Sequence, residues 1–172
     1  IDSNYLSSFR IKYITLKYPD DECKEVCKMD YTDEINYILD HEKRNKFIKN
    51  LCKHLTGNTL ILYTYVEKHG SLLSDILSEI EGKETFFIHG GVNADIREEI
   101  RKDVEKKDNC LIVASYGTFS TGVNIKNLHN VIFASPTKSK VRSLQSIGRG
   151  LRLGDNKDGC VLFDICDNFC TK

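Results

Sequence analysis

From residue 59 onward the chain repeats one pattern: a short apolar run, a turn, then an amphipathic or turn-rich crossing. The runs are Thr59–Tyr63, Thr85–Ile88, Cys110–Ala114, Asn130–Ser135 and Gly159–Ile165. Thr59–Tyr63 reads Thr-Leu-Ile-Leu-Tyr, without the polar alternation of a strand that faces water on one side. Such a run is buried on both faces, which is the signature of a parallel sheet. Helical spacing follows at Ser71–Glu81 and again from Asn93, which can cap a helix running to about Lys106 with Asp95, Glu98 and Glu99 in its first turns. Ser139 is placed to cap one more. Strands alternating with helices imply right-handed crossovers, hence an α/β domain with a mostly parallel central sheet and helices on both faces. Ligands in such sheets sit at the carboxyl ends of the strands, so the loops after Tyr63, Ile88, Ala114 and Ala134 are the places to look.

The first thirty residues read differently. Ile11–Lys17 alternates like a strand and is stopped by Pro19-Asp20-Asp21. The spacing predicts one long helix over residues 32–55, with Asp33 and Glu34 favouring its start. Residues 1–30 are therefore set apart as a lead-in segment or linker, and residues 31–172 as the domain. A chain of 172 residues can bury one proper core. Its 25 basic and 25 acidic residues balance, so any nucleic-acid contact has to come from local patches. No apolar run reaches membrane-spanning length, and a cytoplasmic protein is expected. The chain begins at Ile1, and a piece of a longer protein is expected. Seven cysteines are present, with C-x-x-x-C spacing at Cys23/Cys27 and Cys166/Cys170. Neither pair has a histidine nearby, so no metal site is expected and all the thiols are expected to be reduced.

The segment Gln145-Ser146-Ile147-Gly148-Arg149-Gly150-Leu151-Arg152 carries the sharpest chemical signal. On a helix, spacings of four and three put Gln145, Arg149 and Arg152 on one face, beside an apolar arc of Val141, Leu144, Ile147 and Leu151. A helical glycine costs about 1 kcal/mol against alanine, so Gly148 suggests close backbone approach. Two guanidiniums side by side suit a polyphosphate, because each presents a planar fork of donors that stays charged. Upstream, residues 115–125 are rich in hydroxyls and glycines that can present donors to phosphate. Thr64 and Tyr65 follow the first buried strand, and Phe87-Ile88-His89-Gly90-Gly91 includes a turn open enough for close approach. Read alone, these loops are equally compatible with ordinary surface turns, and the tyrosines with core packing.

Together they resemble superfamily 2 helicases. Q-x-x-G-R-x-x-R is similar to motif VI of that superfamily, Ser115–Ile125 to motif V, Leu60–Tyr65 to motif IV, and His89-Gly90 with Arg97 to the His-Gly turn and helix arginine of its second domain. Asn124 stands where many relatives carry aspartate. The details of Asp33–Ile38, Lys43–Lys46, Ala114–Gly122 and Lys126–His129 resemble the phage UvsW type of DNA helicase. The resemblance implies a RecA-like three-layer fold, with the chain as the second, C-terminal motor domain. It implies that Arg149 and Arg152 act on the γ-phosphate of ATP, that Gln145, Gly122 and Asn124 line the nucleotide side, and that Thr64, Tyr65, Gly91, Ser115 and Thr118 grip a nucleic-acid strand. The partners implied are branched or forked DNA and an N-terminal RecA-like domain of the same polypeptide.

The sequence contains neither a G-x-x-x-x-G-K-[ST] phosphate loop nor a D-E-x-[DH] quartet for magnesium. ATP and Mg2+ are thus expected to be held mainly by that first domain, and this chain alone is expected to be inactive. Asp164 and Asp167 read as structural. Two alternatives stay open at this point: another superfamily 2 motor, such as a restriction translocase or an RNA helicase, and a non-catalytic anion- or protein-binding βαβ module.

Overall fold

A computed structural model describes residues 9–120, 125, 127–136 and 159–169. Six strands form one sheet: β1 (Phe9–Lys17), β2 (Thr59–Tyr63), β3 (Thr85–Ile88), β4 (Leu111–Ser115), β5 (Asn130–Phe133) and β6 (Cys160–Asn168). Their order is β1-β6-β5-β2-β4-β3, and every neighbouring pair is parallel. β2 sits near the centre with all five residues buried, as its unbroken apolar run requires.

Alternate side chains along the strands build two cores. Leu60, Leu62, Ile112, Ala114, Val131 and Leu162 share one face with Val104, Phe119 and Leu128. Ile61, Tyr63, Val113, Ile132 and Phe163 share the other with Ile48, Cys52, Leu73 and Leu77. Each fully buried aliphatic side chain stabilises the fold by about 1.5–3 kcal/mol. The helices that supply the covering residues are α3 (Glu42–His54) and α4 (Ser71–Ser78) on the second face and α5 (Ala94–Lys106) on the first. Opposite-direction crossovers thus lie on opposite faces, as right-handed connections demand. Asn93 caps α5 by accepting from the Asp95 N–H at 3.2 Å, the role its sequence position implied.

Three departures from the sequence reading have physical causes. The long helix expected over residues 32–55 is two helices, α2 (Tyr31–Asp40) and α3. Asp30 caps the first through the Asp33 N–H, and the chain turns at His41, whose ring accepts from the Arg44 N–H and so starts the second. Of the stretch 1–30, residues 9–17 form an edge strand of the main sheet and Asp20–Val26 forms α1. β1 lies in register with the last strand, Ile14 beside Ile165, a pairing that no local pattern shows. The turn-rich crossing after β4 opens with a short helix, α6 (Tyr116–Ser120).

The cysteine expectation also needs correcting. Cys23, Cys52 and Cys110 are free thiols, but Cys27 is disulfide-bonded. Cys27 caps the end of α1, and its Sγ lies 3.5 Å from the Phe169 carbonyl oxygen. The β1–β6 pairing brings these distant parts of the chain together. Among the described residues no group of three His, Cys, Asp or Glu side chains could hold a metal ion, and no helix is long and apolar enough to cross a membrane.

Candidate functional site

The parallel sheet sends all its strand exits to one edge. β2 and β4 are neighbours with Tyr63 beside Ser115, and β3 lies next to β4 with Ile88 beside Ala114. Three loops identified from sequence therefore emerge side by side: Thr64-Tyr65, His89-Gly90-Gly91 and Ser115–Thr118. Thr64, Tyr65 and Gly91 are exposed there. The His89 ring accepts from the Gly91 N–H at 3.2 Å, which shapes the turn, and a side-chain carbon at Gly90 would meet nothing within 4 Å. The Ser115 and Thr118 hydroxyls bond each other at 2.7 Å, and Ser115 Oγ also accepts from the Thr118 N–H. Thr118 is buried, so of that pair Ser115 is the more accessible. Arg97 bonds the Val92 carbonyl oxygen and so braces the His-Gly turn from α5.

Gly122, Asn124, Gln145, Arg149 and Arg152 lie outside the described residues. Their attachment points do not. β5 and β6 are adjacent and parallel, so the link between Phe133 and Cys160 is a crossover that starts at the same edge of the sheet as the three loops.

Beneath that edge lies a buried polar network that the sequence reading did not find. Arg44 of α3 is almost wholly buried. Its Nε donates to Asp167 Oδ1 at 2.8 Å and its Nη1 to the Ala134 carbonyl at 2.7 Å, while Tyr18 donates its hydroxyl to the same carboxylate oxygen at 2.6 Å. Burial first, and the Asp167 contact next, hold the Tyr18 phenol well above its ordinary range. Asp167 is thus structural, as expected.

Alongside lies His69, on a single π-helical turn (Val66–Gly70) leading into α4. Its Nδ1 meets Ser135 Oγ at 2.8 Å and its Nε2 meets Asn45 Oδ1 at 3.2 Å. Burial, followed by the nearby Arg44 charge, lowers the His69 pKa from the ordinary 6.5 to about 3, so the ring is neutral. Gly70 permits this turn: a Cβ there would come within 2.6 Å of the Tyr63 ring. Ser135 also accepts from the Thr64 N–H at 3.1 Å, and its carbonyl accepts from the Tyr116 hydroxyl at 3.3 Å. One signal was present for Arg44. It lies four residues before Ile48, on the apolar arc of its helix, where a charge calls for a buried partner. Nothing local marks His69 or Ser135.

Beside this network a cleft of about 290 Å³ opens between α2 and the ends of β5 and β6, lined in part by Tyr31, Glu34, Ser135, Asp164 and Asp167. Its carboxylates make it a poor seat for a polyphosphate.

Comparison with known proteins agrees with this architecture. Residues 42–154 match the model of the helicase conserved C-terminal domain. The ATP-dependent DNA helicase uvsW of Enterobacteria phage T4 is 33% identical over 171 residues, which are 98% of this chain and 34% of that protein. The crystal structure of T4 UvsW superposes with a TM-score of 0.82 at 34% identity, covering 95% of this chain and 33% of that one. The E. coli DEAD-box protein SrmB shares the fold at 18% identity, with a TM-score of 0.60 over 73% of this chain and 71% of that chain. The chain spans about a third of the length of its T4 relative. It belongs to the helicase C-terminal domain family, with the RecA-like fold, and is a UvsW-like member of it.

Proposed function

We propose that this helicase C-terminal domain is the second motor domain of an ATP-dependent DNA helicase or translocase that remodels branched recombination and replication intermediates. The observation that carries the reading is the shared edge: three strand exits stand beside the root of the segment bearing Gln145, Arg149 and Arg152. Thr64, Tyr65, Gly91, Ser115 and Thr118 would hold one strand through its phosphates, independent of sequence. DNA, rather than RNA, is suggested by the T4 relative, which is named as a DNA helicase.

The described residues suit a supporting part in nucleotide chemistry. Arg44 Nη2, without a partner among the described residues, is buried in a side chain already committed to Asp167, whose carboxylate would repel phosphate. Magnesium and the phosphates of ATP are assigned to a preceding RecA-like domain of the same polypeptide. When bound, ATP supplies the phosphoryl transfer that drives movement. Arg149 and Arg152 would stabilise negative charge developing at the γ-phosphoryl group, with Gln145, Gly122 and Asn124 lining the nucleotide side.

Arg152→Ala in the full-length protein tests this. DNA-stimulated ATP hydrolysis should fall by about 10³–10⁵, the range for a lost arginine finger, while ATP binding persists. Arg149→Ala should behave alike, the pair should be far from additive, and lysine should rescue poorly. Steady-state hydrolysis with single-stranded DNA and with RNA, together with nucleotide binding, provides the readout. Near-normal turnover in both alanine variants would sink the assignment, and stimulation by RNA alone would move the substrate class.

A further inference from the structure

Ser135 is the residue on which the separate parts of this edge converge. It is the second residue after β5 and lies at the start of the connection that carries Gln145, Arg149 and Arg152. Its side chain is bonded to the β2 exit loop through the Thr64 N–H and to the π-helical turn through His69, and its carbonyl to α6 through Tyr116. The preceding carbonyl, at Ala134, is held by Arg44.

The proton positions in this network follow from what each atom can do. The Thr64 N–H can only donate, so Ser135 Oγ accepts from it and has its own hydrogen free to give. A neutral His69 takes that hydrogen at Nδ1 and therefore carries its proton at Nε2, aimed at Asn45 Oδ1. The Asn45 amide then donates to the Leu39 carbonyl at 2.8 Å. Every bond runs the same way, from the Thr64 backbone through Ser135 and His69 to the end of α2. His69, Ser135 and Asn45 are all buried, so water does not compete for these bonds.

We propose that Ser135 and His69 are positioning residues that couple the strand-gripping loop at Thr64-Tyr65 to the root of the arginine segment. The inference rests on the motor reading above and deepens it. Both side chains are buried, which suits positioning. A shift of the Thr64 backbone on engaging a strand alters its bond to Ser135, and the neutral His69 fixes the hydroxyl so that Ser135 moves with Thr64 instead of rotating away. A π-helical turn suits this work, because its extra residue directs His69 inward against Ser135 while Glu67 and Lys68 stay exposed.

The experiment uses the full-length protein and single-stranded DNA. In Ser135→Ala, hydrolysis without DNA and the KM for ATP should match the unsubstituted enzyme, while the maximal stimulation by saturating DNA should fall about tenfold, a typical size for coupling between two sites. Ser135→Thr keeps the hydroxyl and should restore stimulation. His69→Leu should copy Ser135→Ala, and the double variant should be no worse than either single one, since both break one connection. If His69→Leu does not fold, the two Ser135 variants decide the matter alone. Normal stimulation in Ser135→Ala, an equal fall of basal and stimulated rates, or no rescue by threonine would overturn the coupling role. A full-length protein that shows no nucleic-acid-stimulated hydrolysis would overturn the motor reading and this one together.

Discussion

The two ends of the sheet both bury polar side chains, and they use them in opposite ways. At the amino end, Asn58 donates its amide to the Val104 and Lys107 carbonyls at 3.0 and 2.9 Å and accepts the Cys110 N–H at 2.9 Å. Its own carbonyl accepts from His129 and Asn130, and Asn130 in turn bonds the Thr56 carbonyl. Gly57 fits there because its φ is +78° and a Cβ would fall 2.5 Å from the His129 ring. Side chains at this end are used mainly to hold backbone, and the loops they hold carry none of the candidate site residues. At the carboxyl end, side chain meets side chain: Arg44 with Asp167, Tyr18 with Asp167, His69 with Ser135 and Asn45. There the network reaches the exits of β2 and β5, through the Thr64 N–H and the Ala134 carbonyl, and Arg44 Nη2 has no hydrogen-bond partner among the described residues. Backbone satisfaction makes a rigid base. Side-chain networks tie together parts that must act as one, and cost more when half broken.

Three measurements sharpen or break this contrast. Arg44→Ala should have the largest effect, destabilising the chain by about 3–5 kcal/mol in urea unfolding, because it leaves the Asp167 carboxylate buried with Tyr18 as its one side-chain partner among the described residues. A cost below roughly 1 kcal/mol would show that the carboxyl end tolerates a broken pair and would remove the contrast. Asn58→Ala should come next, at about 2–3 kcal/mol for three lost hydrogen bonds to buried backbone. It should leave the ratio of DNA-stimulated to basal hydrolysis unchanged in the full-length protein. A changed ratio would mean that the amino end also takes part in coupling.

A third effect lies in the pH dependence. The unfolded chain protonates His69 near 6.5, whereas the folded chain resists until about pH 3. Between those values the unfolded state binds more protons, so this contribution to stability is fully present above pH 6.5 and is lost as pH falls through the window. The slope is about 1.4 kcal/mol per pH unit for a single group. The difference between the unsubstituted chain and His69→Leu, measured by denaturant unfolding from pH 7 to pH 4, isolates the term. Parallel curves would show that the His69 ring is not held neutral.

The legibility of each element followed the range of the forces behind it. Thr59–Tyr63 and Thr85–Ile88 were readable to the residue, since an apolar run between turns reports burial on both faces. Asn93 was readable because capping is settled within three residues. The break at His41 was hidden within a continuous helical pattern, and only the contact of its ring with Glu22 at 2.8 Å and the cap on Arg44 explain it. Thr64, Tyr65, Gly91, Ser115 and Thr118 were found as loop residues, but their arrangement along one edge came with the strand order.

The sequence by itself determined the kind of molecule this is: a parallel α/β domain whose motif order and spacing identify a helicase C-terminal domain. Those signals are local, carried by side-chain periodicity, caps and short motifs, and they survive without knowledge of what lies beside them. Only the tertiary structure decided that Phe9–Lys17 pairs with the last strand, that Cys27 is bonded, and that Arg44, His69 and Ser135 meet below the motif loops. Each of these joins residues far apart in the chain, and a buried polar group reveals its purpose only through the partner that compensates its desolvation.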